Sequence, residues 1–259
     1  SLLHAATQLM PIVRLGFVWK PVIVVTDTFR KVLLTALPRI FSMMGNQINF
    51  FIEGIIAIGV SSGSLTMYRY AQDIQSFPIG ILGVSMAISS FSIMTNHILD
   101  NSRSHLSQYL TGKISHLMFI LIPTVIGLYT LRTLVVQTLL EGGSFDQVAV
   151  QTTASILQAL CLSIVPAALT PLLMRLYFSF QNTVWPLLVT LISVASNTVL
   201  ALVMANKFGI VGMGFSSALG SLIVFSLLAA MAKVKYFHSL GLTPWRDIAS
   251  FLAASLPMA

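Results

Sequence analysis

"VWPLLVTLISVASNTVLALVMANKFGIVGMGFSSALGSLIVFSLLAAMA", Val184 to Ala232, carries a single charged side chain, Lys207. That lysine sits in Asn206-Lys207-Phe208-Gly209, a polar step that divides the stretch into two apolar runs, Val184 to Ala205 and Ile210 to Ala232. Each run matches the roughly 20 apolar residues that carry a helix across a bilayer. The pattern predicts two membrane-spanning helices joined by a short turn.

The same pattern repeats upstream. Apolar runs at Ala36 to Val60, Gln75 to His97, Ile114 to Leu140 and Ala154 to Phe180 are separated by Ser61-Ser62-Gly63-Ser64, Asp100-Asn101-Ser102-Arg103 and Glu141-Gly142-Gly143-Ser144. Gln181-Asn182-Thr183 precedes the quoted stretch, and Lys233 to Arg246 follows it. The reading is an all-α, polytopic transmembrane helical bundle with about six complete spans. Composition agrees: 56% of residues are hydrophobic and 8% charged, where a soluble domain carries roughly 25% charged residues. A water-soluble globule is excluded.

The formal charge of +7 comes from basic residues scattered between apolar stretches, with no run that could track phosphates, so no nucleic-acid partner is expected. Cys161 stands alone, which rules out a disulfide framework or a cysteine metal site built from this chain. The chain opens with Ser1 and stops a few residues into a fresh apolar run, Ile248 to Pro257, as a piece of a longer protein would. Residues 1–35 read as the end of a preceding span plus a cytoplasmic amphipathic link, 36–247 as the six-helix part, and 248–259 as the start of a truncated further span. No removable signal peptide is indicated.

Alternate joints differ in basic residues. Arg14, Lys20, Arg30, Lys31, Arg39, Arg103, Lys113, Arg175, Lys233, Lys235 and Arg246 fall on one side; Arg69, Arg132 and Lys207 fall on the other. The positive-inside rule places the first group in the cytoplasm and Val60 on the outer side. Within Thr26 to Arg39, Phe29, Val32, Leu33 and Ala36 share one helical face, so this segment reads as an interfacial helix or a solvated linker. Pro78, Gly80 and Gly83, Pro123 and Gly127, Pro166 and Pro171, and Pro186 should kink or unwind their spans.

Ionisable groups in a span need a partner, a cavity or the interface. Asn46, Asn49 and Glu53 stand at i, i+3 and i+7 and so share a helix face. That face is either a cation or proton site of hard oxygen ligands, or a hydrogen-bonded glutamate joining two helices. Arg69 and Asp73, four apart, read as an interfacial ion pair or as an arginine free to bind phosphate oxygens of an anionic substrate. Asn197 with Ser193 and Ser196, and Ser216 with Ser217, are residues that commonly permit close helix packing. His97, His105 and His116 lack metal-ligand spacing, and His4 and His238 are isolated. No phosphate loop, nucleophile elbow or catalytic acid pair occurs, so an enzyme is not expected.

Several stretches resemble the MurJ/MviN lipid II flippase family. "LPRIFSMMGNQINFFIEGIIA", Leu37 to Ala57, is similar to the opening span of its C-terminal lobe, and "YRYAQDIQSFPIGILGVSMA", Tyr68 to Ala87, to its Pro-Gly element. "LLEGGSFD" (Leu139 to Asp146), "YFSFQNTVWP" (Tyr177 to Pro186) and "NKFGIVGMGFSSALG" (Asn206 to Gly220) resemble its later joints, and "QLMPIVRLGFVWKP" (Gln8 to Pro21) the link between lobes. The resemblance implies one lobe of a two-lobe, alternating-access transporter of the multidrug/oligosaccharidyl-lipid/polysaccharide exporter superfamily. It implies the bacterial cytoplasmic membrane, lipid II and membrane lipids as partners, the missing N-terminal lobe as a further one, no cofactor, and possible Na+ or H+ coupling.

Two departures from the family pattern stand out. The family commonly places Asp-Arg where this chain has Gln72-Asp73, so an arginine assigned to head-group binding is absent, and Arg69 one turn earlier is its candidate substitute. The resemblance also implies a cation site from Glu53, Asn197, Met213 and Ser217 with a second carboxylate, but Ala201 occupies that last position. Substrate-binding candidates are therefore Arg69, Gln72 and Asp73; cation-site candidates are Glu53, Asn49, Asn197, Met213 and Ser217. The alternatives are a multidrug or polysaccharide/O-antigen exporter of the same superfamily and a non-transporting membrane scaffold.

Overall fold

A computed structural model describes residues 27–143 and 145–236. Expectations for 1–26 and 237–259, including the preceding span and the start of a further one, lie outside the described residues. The chain divides into two compact units, Ser1–Leu37 and Pro38–Ala259. Residues 27–37 of the first are helical. The second holds the bundle.

Helix α1 runs Asp27–Val60, α2 Ser64–Pro78, a π-helical segment Ile79–Val84, α3 Ser85–Leu99, α4 Arg103–Leu140, α5 Gln147–Ser179 and α6 Val184–Tyr236. The turns fall at the glycine- and asparagine-rich joints. Gly63 takes φ 79° before α2, and Asn101 and Gln181 take φ 51° and 55° where α3 and α5 end. After α5, Gln181 N–H donates to the Phe178 carbonyl and Asn182 N–H to that of Tyr177, capping two otherwise unpaired acceptors. At the other end of α5, Asp146 Oδ1 accepts from the Ala149 amide at 2.9 Å, an N-cap.

Four helices start earlier than their apolar runs, α1 at Asp27 instead of Ala36 and α5 at Gln147 instead of Ala154 among them. The second begins at Ser64 instead of Gln75, and the third at Arg103 instead of Ile114, because polar residues at a span's end are no obstacle to helix. Prolines act less than expected. Pro123, Pro166 and Pro171 lie inside α4 and α5 without ending either helix, as membrane helices allow. Pro186 sits in the first turn of α6, where a missing N–H leaves no bond unmade. Pro78 alone leads into rewound backbone: the wider π turn follows it, and Ser85 Oγ donates to the Gly80 carbonyl five residues back at 3.3 Å.

At 53 residues, α6 would be about 80 Å long if straight, far more than the roughly 30 Å hydrocarbon core. Gly209, at φ 61° and ψ −147°, breaks it. A Cβ on Gly212 would lie 2.1 Å from the Met204 carbonyl oxygen, and one on Gly220 would lie 3.4 Å from Asn197 Oδ1. Pairs centred near residue 208 are thus in contact, so 184–208 (α6a) and 210–236 (α6b) form an antiparallel hairpin. The polar step at 206–209 is the turn. Among the described residues four helices are long and apolar enough to cross a membrane, the last of them folded into two arms, while Gln47–Val60 of α1 is a shorter apolar stretch than the Ala36 to Val60 span expected there.

Helix α5 is the centre, packed against α2, the π segment, α3, α4 and α6. In its most apolar window 67% of residues are buried, against 11% for α4. The apolar side chains that α4 exposes, such as Phe119, Leu131 and Leu134, suit lipid.

Candidate functional site

Glu53 and Asn49, one turn apart on α1, meet Gln72 of α2 and Asn197 of α6a. Asn49 Nδ2 donates to Glu53 Oε1 at 3.1 Å, and Asn197 Nδ2 donates to the same oxygen at 2.7 Å. Asn197 Nδ2 also donates to Asn49 Oδ1 at 2.9 Å. Gln72 Nε2 donates to Glu53 Oε2 at 3.0 Å. A carboxylate 6% exposed is thus held by amides from three helices, which offsets the desolvation that an isolated buried charge would suffer.

A cavity of about 240 Å³ opens beside it, with room for several waters, lined on α5 by Thr170 and Pro171 and on the α6 hairpin by Ser193, Asn197, Ser217 and Ser221. Asn197 Oδ1 is buried and accepts no hydrogen bond from the described residues. The Tyr68 hydroxyl, also buried, lies near Glu53 and Ser217 but in hydrogen-bond geometry with neither. Each carboxylate oxygen offers about two acceptor sites. Glu53 Oε1 is filled by two donors, while Oε2 has one. An open carboxylate position, an orphaned amide oxygen and a polar cavity suit a singly charged cation or a proton; a divalent ion would want more negative charge.

The structure joins five candidates, Glu53, Asn49, Asn197, Gln72 and Ser217, around this cavity or its hydrogen bonds. Met213 is fully buried on α6b, and its carbonyl accepts from Ser216 Oγ at 2.8 Å. Ala201, one turn from Asn197, is buried and brings no polar atom. The side chain of Asn46 is outside the described set.

The Arg69–Asp73 ion pair does not form. Arg69 Nη1 donates to Gln72 Oε1 and Nη2 to the Phe50 carbonyl, both at 2.7 Å, and its guanidinium lies 3.4 Å over the Phe50 ring. Asp73 is exposed and outside the network. A basic residue N-terminal to an acidic one is the weaker i,i+4 order, and π-stacking plus two fixed acceptors outcompetes it. Gln72, expected among the substrate-binding residues, instead bridges Arg69 and Glu53, a link that the spacing along the chain does not signal. His97 and His105 do come together, with rings stacked at 6.3 Å, but among the described residues no three His, Cys, Asp or Glu side chains cluster.

A family model described as lipid II flippase MurJ matches residues 1–259. The chain belongs to the lipid II flippase MurJ family. Among relatives, the probable lipid II flippase MurJ of Bdellovibrio bacteriovorus is 26% identical over 210 residues, 80% of this chain and 40% of its own. That of Vibrio cholerae is 24% identical over 198 residues, 76% of this chain and 38% of its own. The chain therefore spans about 40% of the length of these curated relatives.

A solved lipid II flippase MurJ in an inward closed conformation has a TM-score of 0.71 at 22% identity, covering 92% of this chain and 50% of that one. An outward-facing multidrug resistance MATE family transporter gives 0.64 at 14%, covering 85% and 49%. These likenesses establish the fold as half of such a transporter. With its apolar helices, membership in the MurJ family makes this a multi-pass protein of the bacterial cytoplasmic membrane.

Proposed function

We propose that the chain is one lobe of a lipid II flippase that carries an undecaprenyl-pyrophosphate-linked head group from the cytoplasmic to the outer leaflet by alternating access, driven or gated by Na+ or H+ at Glu53. A flippase must pass a polar head group across hydrocarbon while the tail stays in lipid, and a rocking two-lobe cavity with lateral access meets both needs. The observation that carries the reading is the MurJ family match over the whole chain. The buried Glu53 network beside a polar cavity supports the coupling part. Glu53, Asn197 and Ser217 would hold the cation. Arg69 would meet the pyrophosphate, in keeping with its fork of donors. The missing lobe would supply the other cavity wall.

Glu53→Gln in the full-length protein keeps shape and amide contacts but removes the charge. It is expected to insert and accumulate normally yet fail to support a flippase-depleted strain, or to lose its response to sodium and pH. Full complementation with both responses intact would return Glu53 to the role of a helix-joining residue.

A further inference from the structure

We propose that Gln72 is a positioning residue that couples cation occupancy of Glu53 to the availability of Arg69 for an anionic, pyrophosphate-bearing lipid. The proposal rests on the reading of Glu53 as a cation site.

One planar amide spans the two groups: Nε2 donates to Glu53 Oε2 at 3.0 Å while Oε1 accepts from Arg69 Nη1 at 2.7 Å. The two partners dictate a single orientation. Reversed, the amide would point its N–H groups at a guanidinium that can only donate, and its carbonyl at a carboxylate that can only accept. Among the described residues Gln72 is also the sole hydrogen-bond partner of Oε2, the carboxylate oxygen with acceptor capacity left, so whatever arrives there acts first on this bond.

A cation at Oε2 repels the N–H end of the amide and attracts its carbonyl oxygen. Its arrival favours turning the Gln72 carbonyl toward Glu53. That rotation withdraws the acceptor from Arg69 Nη1 and leaves the guanidinium with the Phe50 carbonyl and unpaired N–H groups. Such a fork suits two phosphate oxygens. Gln72 and Arg69 are half-buried, so both have room to turn.

Other charges do not short-circuit the relay. Around Glu53, α2 presents Tyr68 and Arg69, and α1 presents Asn49. Helix α5 and the α6 hairpin present Thr170, Ser193, Asn197, Ser217 and Ser221, none of them charged, so Glu53 is the one charged residue among the described cavity-lining residues. Coupling free energies are reciprocal, so cation loading should tighten anion binding by the same factor that the anion tightens cation binding.

The test is the affinity of the full-length protein, in detergent micelles, for undecaprenyl pyrophosphate at low and saturating sodium. The parent is expected to bind at least about fivefold more tightly when sodium-loaded. Gln72→Met, of similar length without the amide, should hold that change below about twofold; Gln72→Asn, one methylene short of bridging both partners, should do the same and covers the case that methionine is not tolerated. A uniform loss of affinity with the parent's full sodium response in either variant would overturn the relay and leave the Glu53 reading standing. A parent indifferent to sodium would overturn the reading of Glu53 as a cation site, and the relay with it.

Discussion

Gly83 offers the sharpest test of how the second span seats on the central helix. A Cβ at Gly83 would lie 2.5 Å from the Ala168 carbonyl oxygen, 2.8 Å from its Cα and 3.0 Å from its carbonyl carbon. Carbon contacts are comfortable at about 3.5–4.0 Å, so Gly83→Ala forces the π segment and α5 apart by about 1 Å. Overpacking of this kind costs about 1–3 kcal/mol. All three obstructing atoms are backbone, so Ala168→Gly should not restore the loss. Gly80, three residues earlier, has nothing within 4 Å of its own Cβ position, and there alanine should be neutral or stabilising by up to about 1 kcal/mol. The two variants should therefore differ by roughly 1–4 kcal/mol in reversible unfolding in mixed detergent micelles. Gly214→Ala is the internal contrast: its nearest obstacle is the Ala159 Cβ at 2.8 Å, with the Ile156 carbonyl next at 3.0 Å. Ala159→Gly should thus recover part of that defect. Equal stability of Gly83→Ala and Gly80→Ala, or full rescue of Gly83→Ala by Ala168→Gly, would refute the described packing.

Ala201→Asp should place a second carboxylate one turn from Asn197 on the same helix face; sodium affinity measured by calorimetry should rise in the variant, and an unchanged value would count against a cation site there. Single cysteines at Ser62 and Glu141 should react with an impermeant maleimide added to intact cells, whereas Asn101→Cys should react only after permeabilisation; Cys161, fully buried, leaves the background low, and the opposite pattern would reverse the orientation. Tyr177→Phe deletes a buried hydroxyl that donates to the Leu228 carbonyl at 2.8 Å between α5 and α6b, and should lower stability by about 0.5–1.5 kcal/mol in the same unfolding assay, with a neutral result denying that bond a role.

The amino-acid sequence by itself determined that the chain spans a membrane as helices and where most of them turn. Apolar runs near 20 residues have few other fates, and a joint such as Asn206 to Gly209 has the composition of a turn wherever it occurs. It also singled out Glu53 and Asn49 as one face, because residues on the same helix keep a fixed angular relation. Family motifs named the class.

Relations between helices were decided only in the folded molecule. The proline positions did not reveal which helices would stay continuous, since packing around each one settles how its freed carbonyl is satisfied. Arg69 had a carboxylate at i+4 on its own helix and nevertheless pairs with Gln72 one turn along and with Phe50 of α1, because the Phe50 ring and carbonyl reach it only where the two helices cross. The same holds for Asn197, 144 residues from the glutamate it hydrogen-bonds. Helical periodicity fixes neighbours within a turn or two, whereas register, crossing angle and close approach between helices depend on small residues such as Gly83, Gly212 and Gly214. Only when those backbones touch do three amides converge on one buried carboxylate.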